Sequence, residues 1–417
     1  MAAYTPRLVD DVLDDLFAEL PAIMLVGPRG CGKTTTALRR SASVLRLDQP
    51  LQADSLRADP DALLGVQKPP VLIDEWQVVP EVLGAVKRAV DSGTGGGRFL
   101  LTGSVRARRS VGQWAGTGRV IRVQMYGLTV AERAGSTGED LLRHLVSGAD
   151  LPTWTMPGAP SVVDYVEAAL EGGFPEAVGL SRRARSAWLD GYRGELVYRD
   201  AAEIADIRSP ERLAALLAAV AHNTAGTPNE ANLAQAAGVD ARTARAHLDL
   251  LEDLRVVERL PAWHSNRFTR LVKSPKFHIT DTALAASLIG VDADGVLGSG
   301  DLLGRIVESF VAAQIRPMLG LSSPSLSMSH LRDRGGEHEV DLVIEARNGD
   351  ILGIEVKASA RVGEKDARHL RWMQERVGER FRRGVVFHTG PAAFRIDDRI
   401  HALPIAMLWR WPEGMSR

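Results

Sequence analysis

One cysteine, Cys31, in 417 residues leaves no basis for an intrachain disulfide framework or a multi-cysteine zinc site. The chain also lacks a charge of one sign. Lysine and arginine number 51 against 52 aspartates and glutamates, for a net charge of −1. That balance gives no overall nucleic-acid signature, so any DNA contact must rest on a local patch. No apolar run approaches the length of a membrane span, and no basic stretch followed by an apolar segment opens the chain. A soluble cytoplasmic protein without a membrane partner is the expectation. No internal repeat or low-complexity tract appears. What remains is a 45% hydrophobic chain, long enough for two or three domains with separate cores.

Residues 27–34 read Gly27-Pro28-Arg29-Gly30-Cys31-Gly32-Lys33-Thr34, the phosphate-loop pattern without a mismatch. Ala22–Val26, just before it, suits a buried parallel strand. The glycines permit a tight turn whose N–H groups face phosphates, and a helix beginning after the loop offers its positive end. Nucleotide contacts are expected from Gly27 through Thr35. About forty residues on, Val71-Leu-Ile-Asp74-Glu75 ends an apolar strand in two carboxylates, the chemistry that magnesium and water need beside a nucleotide. Lys33 is expected at the β- and γ-phosphates, Thr34 and Asp74 on magnesium, and Glu75 on the attacking water. ATP and Mg2+ are the implied cofactors.

A third strand, Arg98–Leu101, runs into Thr102-Gly-Ser104, where Thr102 could contact the γ-phosphate or the water; an ordinary strand-ending turn is the plainer alternative. This segment resembles the sensor strand of AAA-type ATPases. Arg106, Arg108, Arg109 and Arg119 are candidates for charge supplied to a γ-phosphate in cis or in trans, or are solvated surface. Arg119 is preferred because Gly118-Arg-Val120 opens another apolar strand.

Residues 1–135 thus read as an α/β nucleotide domain, and 136–161, rich in Gly, Pro and Ser, as a linker. Residues 162–225 read as helical, with Leu213, Leu216, Leu217 and Val220 spaced as a core stripe. Residues 226–265 read as helix (230–237), turn, helix (241–254) and strand (256–260), the order of a winged helix-turn-helix. Arg242, Thr243, Arg245 and His247 would then face a major groove, with Arg242 and Arg245 the candidate DNA contacts. Such modules also serve protein interaction or packing, and Asp240, Asp249 and Glu252 dilute the positive field.

Residues 298–412 form the last unit. Glu339–Glu345 alternates as a strand presenting Asp341, and Asn348-Gly-Asp350 turns into Ile351–Lys357, which puts Glu355 and Lys357 on one face. Two carboxylates on paired strands can share a divalent cation, and the lysine can orient water or steady developing phosphate charge. Glu308, on a helix over 302–315, could add a third carboxylate, and a further helix is expected over 364–377. The set resembles the PD-(D/E)xK nuclease-like superfamily, which implies a restriction-endonuclease-like α/β fold and a second divalent metal. A solvated hairpin with an ordinary Glu–Lys pair is the alternative.

Taken together, Gly27–Thr34, Val71–Glu75, Leu100–Ser104, Gly118-Arg-Val120, Gly172-Gly-Phe-Pro-Glu176, Glu339-Val-Asp341 and Glu355-Val-Lys357 resemble a prokaryotic family of AAA-type ATPases, the AAA_14 group. Trp76-Gln77 and the glycine-rich 112–118 segment depart from that pattern. The resemblance implies ATP binding, with assembly into a homo-oligomer if a neighbour supplies an arginine, but no substrate. Two functions follow: an ATPase coupled to a nuclease-like domain acting on DNA or RNA, or a nucleotide-switched DNA-binding or scaffold protein.

Overall fold

The computed structural model describes residues 4–411 apart from 94, 104–117, 137–138, 149–150, 152, 205–206, 208, 266–273, 321–325 and 334. Ser104, Arg106, Arg108, Arg109 and all but the last residue of the 112–118 segment lie outside the described residues.

The first unit is a five-stranded sheet. Its strands are β1 (Ala22–Val26), β2 (Ser43–Arg46), β3 (Val71–Asp74), β4 (Phe99–Thr102) and β5 (Ile121–Gln124). They run in the order β2-β3-β4-β1-β5, every pairing parallel. The central strands are apolar throughout because both faces are covered. Leu13, Phe17 and Ala37 pack on one face, and Leu56, Leu83 and Val86 on the other. Because β4 lies between β1 and β3, Thr102 is in register with both Leu25 and Asp74. The strand order therefore delivers the ends of β1, β3 and β4 to one edge.

The 136–161 span, expected as a linker, instead carries a helix at Glu139–Ser147 and a short strand, β6 (Trp154–Thr155). Leu141, Leu142 and Leu145 of that helix are buried in the largest core. Glycine, proline and serine around them masked a helical spacing of leucines. Helices follow at Val162–Glu171, Arg182–Glu195 and Pro210–His222, with a π-helical turn at Leu196–Asp200. Leu213, Leu216, Leu217 and Val220 are fully buried, as their spacing implies. Helices Glu230–Ala236 and Ala241–Asp253 then lead into an antiparallel pair, β7 (Val257–Leu260) and β8 (Lys276–Ile279).

The last unit opens with helix Gly300–Leu319, followed by β9 (Leu326–Arg332), β10 (Glu339–Ala346) and β11 (Ile351–Lys357). Helix Arg368–Val377 comes next, beginning four residues later than expected because 364–367 form turns. The chain finishes through β12 (Phe381–His388), β13 (Ala392–Asp397) and β14 (Ile400–Pro404). The sheet order is β6-β13-β14-β12-β11-β10-β9. Strand β10 runs antiparallel to both its neighbours, β9 and β11, whereas β11, β12 and β14 are parallel. Alternation along the strands sorts the two faces. Leu342, Ile354 and Phe387 join Phe310 and Val311 of the long helix, while Val343, Phe381 and Val386 join Leu370 and Met373 of the shorter one. Among the described residues no helix is long and apolar enough to cross a membrane.

Candidate functional sites

The phosphate loop sits where β1 ends. Gly30 and Gly32 have φ of +75° and +99°, in the region that L side chains rarely adopt. Gly27 is needed for space instead, since a Cβ there would stand 2.2 Å from the Met125 carbonyl. Lys33 begins the following helix and is buried, its Nζ donating to the carbonyls of Gly27 and Pro28 at 3.0 and 2.8 Å. Cys31 is buried beneath the loop, and Thr35 is exposed at its rim. The Arg29 side chain turns away from the loop and pairs with buried Asp200 on the π-helical turn.

Asp74 is the hub of the acidic edge. One oxygen accepts from the Thr34 hydroxyl at 2.8 Å and from the Thr102 hydroxyl at 2.5 Å. Three residues distant in sequence are thus gathered by the parallel order of β1, β4 and β3. Glu75 follows with φ of 54°, a strained turn for a non-glycine residue, which aims its side chain away from the strand. Burial raises its pKa, and the Asp74 charge adds to that, while the hydrogen bond from Gln77 opposes it. Gln77 and buried Trp76, the departure from the family pattern, pack on Gly103, where a Cβ would meet Gln77 Oε1 at 2.2 Å.

Arg119 lies elsewhere. It precedes β5, hence at the sheet edge opposite the loop, and its Nε pairs with Asp91 at 3.0 Å on the exposed surface. A contact with the γ-phosphate of its own chain is excluded by that placement.

Several residues tie the loop to the rest of the molecule without an obvious signal in the sequence. Buried Arg7 donates to the Cys31 carbonyl (2.8 Å), the Tyr126 carbonyl (2.7 Å) and Glu132 (3.0 Å). Tyr192 donates to the Arg29 carbonyl at 3.2 Å. Its ring stacks on Trp188, and Phe174 of the Gly-Gly-Phe-Pro-Glu segment packs against both. A Cβ on Gly30 would lie 3.7 Å from Phe174, so that segment forms the floor of the loop.

At the other end, Glu308, Asp341, Glu355 and Lys357 are gathered beside one another. Asp341 Oδ2 accepts from the Val356 backbone at 2.8 Å, and Lys357 Nζ donates to Glu355 Oε2 at 2.7 Å. Glu355 is buried, and its second oxygen has no hydrogen-bond partner among the described residues. The unexpected member is Lys276 of β8, which is fully buried. Its ammonium stands 2.7 Å from Glu308, 3.2 Å from Glu339 and 3.5 Å from Asp341. Burial alone would depress the Lys276 pKa, but those three carboxylates outweigh it and leave it raised. Burial pushes Glu308 and Glu355 up to about 8, with Asp341 repulsion adding to each.

The expected carboxylates do not form a metal-sized cluster. Among the described residues, the His, Asp and Glu group with donor atoms all within 4.8 Å is Asp333, Glu337 and His338. Lys276 stands among Glu308, Glu339 and Asp341 at 2.7–3.5 Å, longer than the bonds a metal ion makes to oxygen.

On the helix Ala241–Asp253, Arg242 and Arg245 are exposed. Thr243 instead donates its N–H (3.0 Å) and hydroxyl (2.7 Å) to Asp240, whose side chain caps the helix. His247 is half-buried, and that burial lowers its pKa.

Comparison with known proteins divides the chain in three. Residues 19–134 match the family model described as AAA domain. Residues 162–295 and 303–408 match two domains of unknown function, DUF8612 and DUF4143. The chain is 29% identical over 389 residues to the uncharacterized proteins Rv2008c of Mycobacterium tuberculosis and Mb2031c of Mycobacterium bovis, covering 92% of this chain and 80% of each relative. These matches support an AAA-type ATPase domain at residues 19–134, followed by two regions similar to domains of unknown function.

Proposed function

We propose that the chain is a magnesium-dependent ATPase whose nucleotide site is linked mechanically to the helical region and the C-terminal sheet. The observation that carries this is the convergence of Thr34, Asp74 and Thr102 on one carboxylate oxygen beside the loop. The residues fit the group: glycine geometry at the loop, a buried lysine held by loop carbonyls, and a hydroxyl–carboxylate pair of the kind that ligates magnesium. Gly27–Thr35 would hold ATP, and Thr34 and Asp74 would hold the ion, which neutralises phosphate charge when bound. Lys33 exchanges its two carbonyl partners for phosphate oxygens. Glu75, kept basic by partial burial and oriented by Gln77, takes the proton of the attacking water. Arg29, Tyr192 and Phe174 transmit the change in the loop to the helical region. The test is direct: Lys33→Ala abolishes ATP binding, whereas Glu75→Gln binds ATP and does not turn it over. Normal hydrolysis by the Glu75 variant would sink its assigned role.

For the C-terminal unit, the helix-strand-strand-strand-helix-strand order and the gathering of Glu308, Asp341, Glu355 and Lys357 support a restriction-endonuclease-like core. Between an active nuclease and a nucleotide-switched scaffold or DNA-binding protein, the buried Lys276 ammonium favours the second. Three packed helices and the β7–β8 hairpin support a winged-helix module, with Arg242 and Arg245 available to phosphates. An arginine finger from Arg119 would act only in trans, within a homo-oligomer. Cleavage of DNA or RNA with Mg2+ or Mn2+ that is lost in Asp341→Ala would reverse the preference for the scaffold.

A further inference from the structure

We propose that Lys276 is the resident cation of the C-terminal carboxylate site, filling the position a divalent metal would otherwise take and locking the β7–β8 hairpin onto the last sheet. This rests on the reading of Glu308, Asp341 and Glu355 as a cation-binding arrangement. Lys276 is fully buried and shares its ammonium among Glu308, Glu339 and Asp341. An ammonium withdrawn from water is tolerated only where carboxylates surround it, and here three do. They come from helix Gly300–Leu319 and β10, whereas the lysine comes from a different region of the chain. Backbone bonds hold that hairpin in place: Leu260 pairs with Lys276, and His330 N on β9 donates to the Pro261 carbonyl at 3.0 Å.

A second observation is a buried carboxylate oxygen left unmatched beside the two lysines of the site. Glu355 is 1% exposed, and its Oε1 has no hydrogen-bond partner among the described residues, although Lys357 satisfies Oε2. Glu355 stands close enough to Asp341 and Lys276 to feel the charge of both. Four carboxyl side chains, Glu308, Glu339, Asp341 and Glu355, thus share two ammonium groups, and Lys276 stands where a further ion would enter.

The experiment titrates Mn2+ against the full-length chain and follows bound metal by electron paramagnetic resonance. Asp341→Asn identifies any ion held at the C-terminal site and leaves the phosphate-loop site intact. In an otherwise wild-type chain, Asp341→Asn is expected to leave Mn2+ binding unchanged. Lys276→Met is expected to gain one Mn2+ site at least about tenfold tighter than any C-terminal binding in the wild type, and the added Asp341→Asn should remove it. A wild-type Mn2+ site that Asp341→Asn abolishes would overturn the proposal while leaving the nuclease-like reading in place. A folded Lys276→Met chain that gains no metal would also overturn it, reducing Lys276 to an ion pair at an ordinary interface.

Should Lys276→Met fail to fold, amine acylation of the wild type, read by mass spectrometry, decides between the outcomes instead. Lys276 should stay protected at saturating Mn2+, and labelling that rises with Mn2+ would show the metal displacing it and overturn the proposal. ATP turnover, governed by Lys33 and Glu75, is untouched by any of these outcomes.

Discussion

Replacing Glu355 with glutamine keeps the shape of the most deeply buried carboxylate of the C-terminal site and removes its charge. Burial raises Glu355 from the ordinary 4.5 to about 8, with Asp341 adding and Lys357 opposing. A carboxyl group raised in the fold binds more protons than in the unfolded chain between those two values. Its contribution is therefore fully present below the lower value and is lost as pH rises through about 8. An interval of roughly 3.5 pH units at about 1.4 kcal/mol each sets an upper bound of about 5 kcal/mol. Near-complete burial leaves little of this to solvent screening, although the lost Lys357 pair offsets part of it. Glu355→Gln should match the wild type near about pH 5 and exceed it by about 2–5 kcal/mol near about pH 9. For a unit of this size that is a Tm gain of roughly 8–20 °C, readable by thermal melts at the two pH values. A gap independent of pH, or a variant less stable under alkaline conditions, would refute the reasoning.

Other perturbations test the opposite end of the molecule. Arg7→Ala strands buried Glu132 and two loop-side carbonyls, and should cost about 3–5 kcal/mol in chemical denaturation together with weaker ATP binding. Gly27→Ala forces a Cβ to within 2.2 Å of the Met125 carbonyl, so binding of a fluorescent ATP analogue should be lost although circular dichroism shows a folded chain. If Arg242 and Arg245 contact phosphates, Arg242→Ala with Arg245→Ala should weaken DNA binding evenly across sequences and reduce the salt slope by about 2; an unchanged slope removes them from the interface.

The candidate nucleotide site could be read from sequence because its chemistry is local. Glycines, Lys33 and Thr34 occupy one turn, and Asp74-Glu75 close one strand, so composition and order suffice. Thr102 could be suspected from its strand end, but its bond to Asp74 depends on β4 lying between β1 and β3. The strands of Asp341 and Glu355 were readable from alternation, and Glu308 from helical spacing. Lys276 was not, since an isolated lysine in Ser274-Pro-Lys276-Phe carries no pattern and meets its carboxylates only through tertiary packing. Arg7 was hidden for the same reason. The position of Arg119 could not be read from sequence, because an apolar strand announces itself without saying which end faces the loop; parallel pairing puts it at the far end. The 136–161 span misled through its glycine and proline content, although its leucines were spaced to be buried.

That span has a bearing on how the chain is made. Trp154 and Thr155 pair with Ala393 and Ala392, and the Tyr165 hydroxyl accepts from Ala406 N at 3.0 Å. During synthesis these residues emerge long before their partners. The C-terminal sheet therefore closes as a late event that recruits an early segment. A fragment cut at residue 298 would leave β13 with an unpaired edge, the kind of strand that sticks to other copies. The boundary along the sequence and the boundary of the folded body are different places.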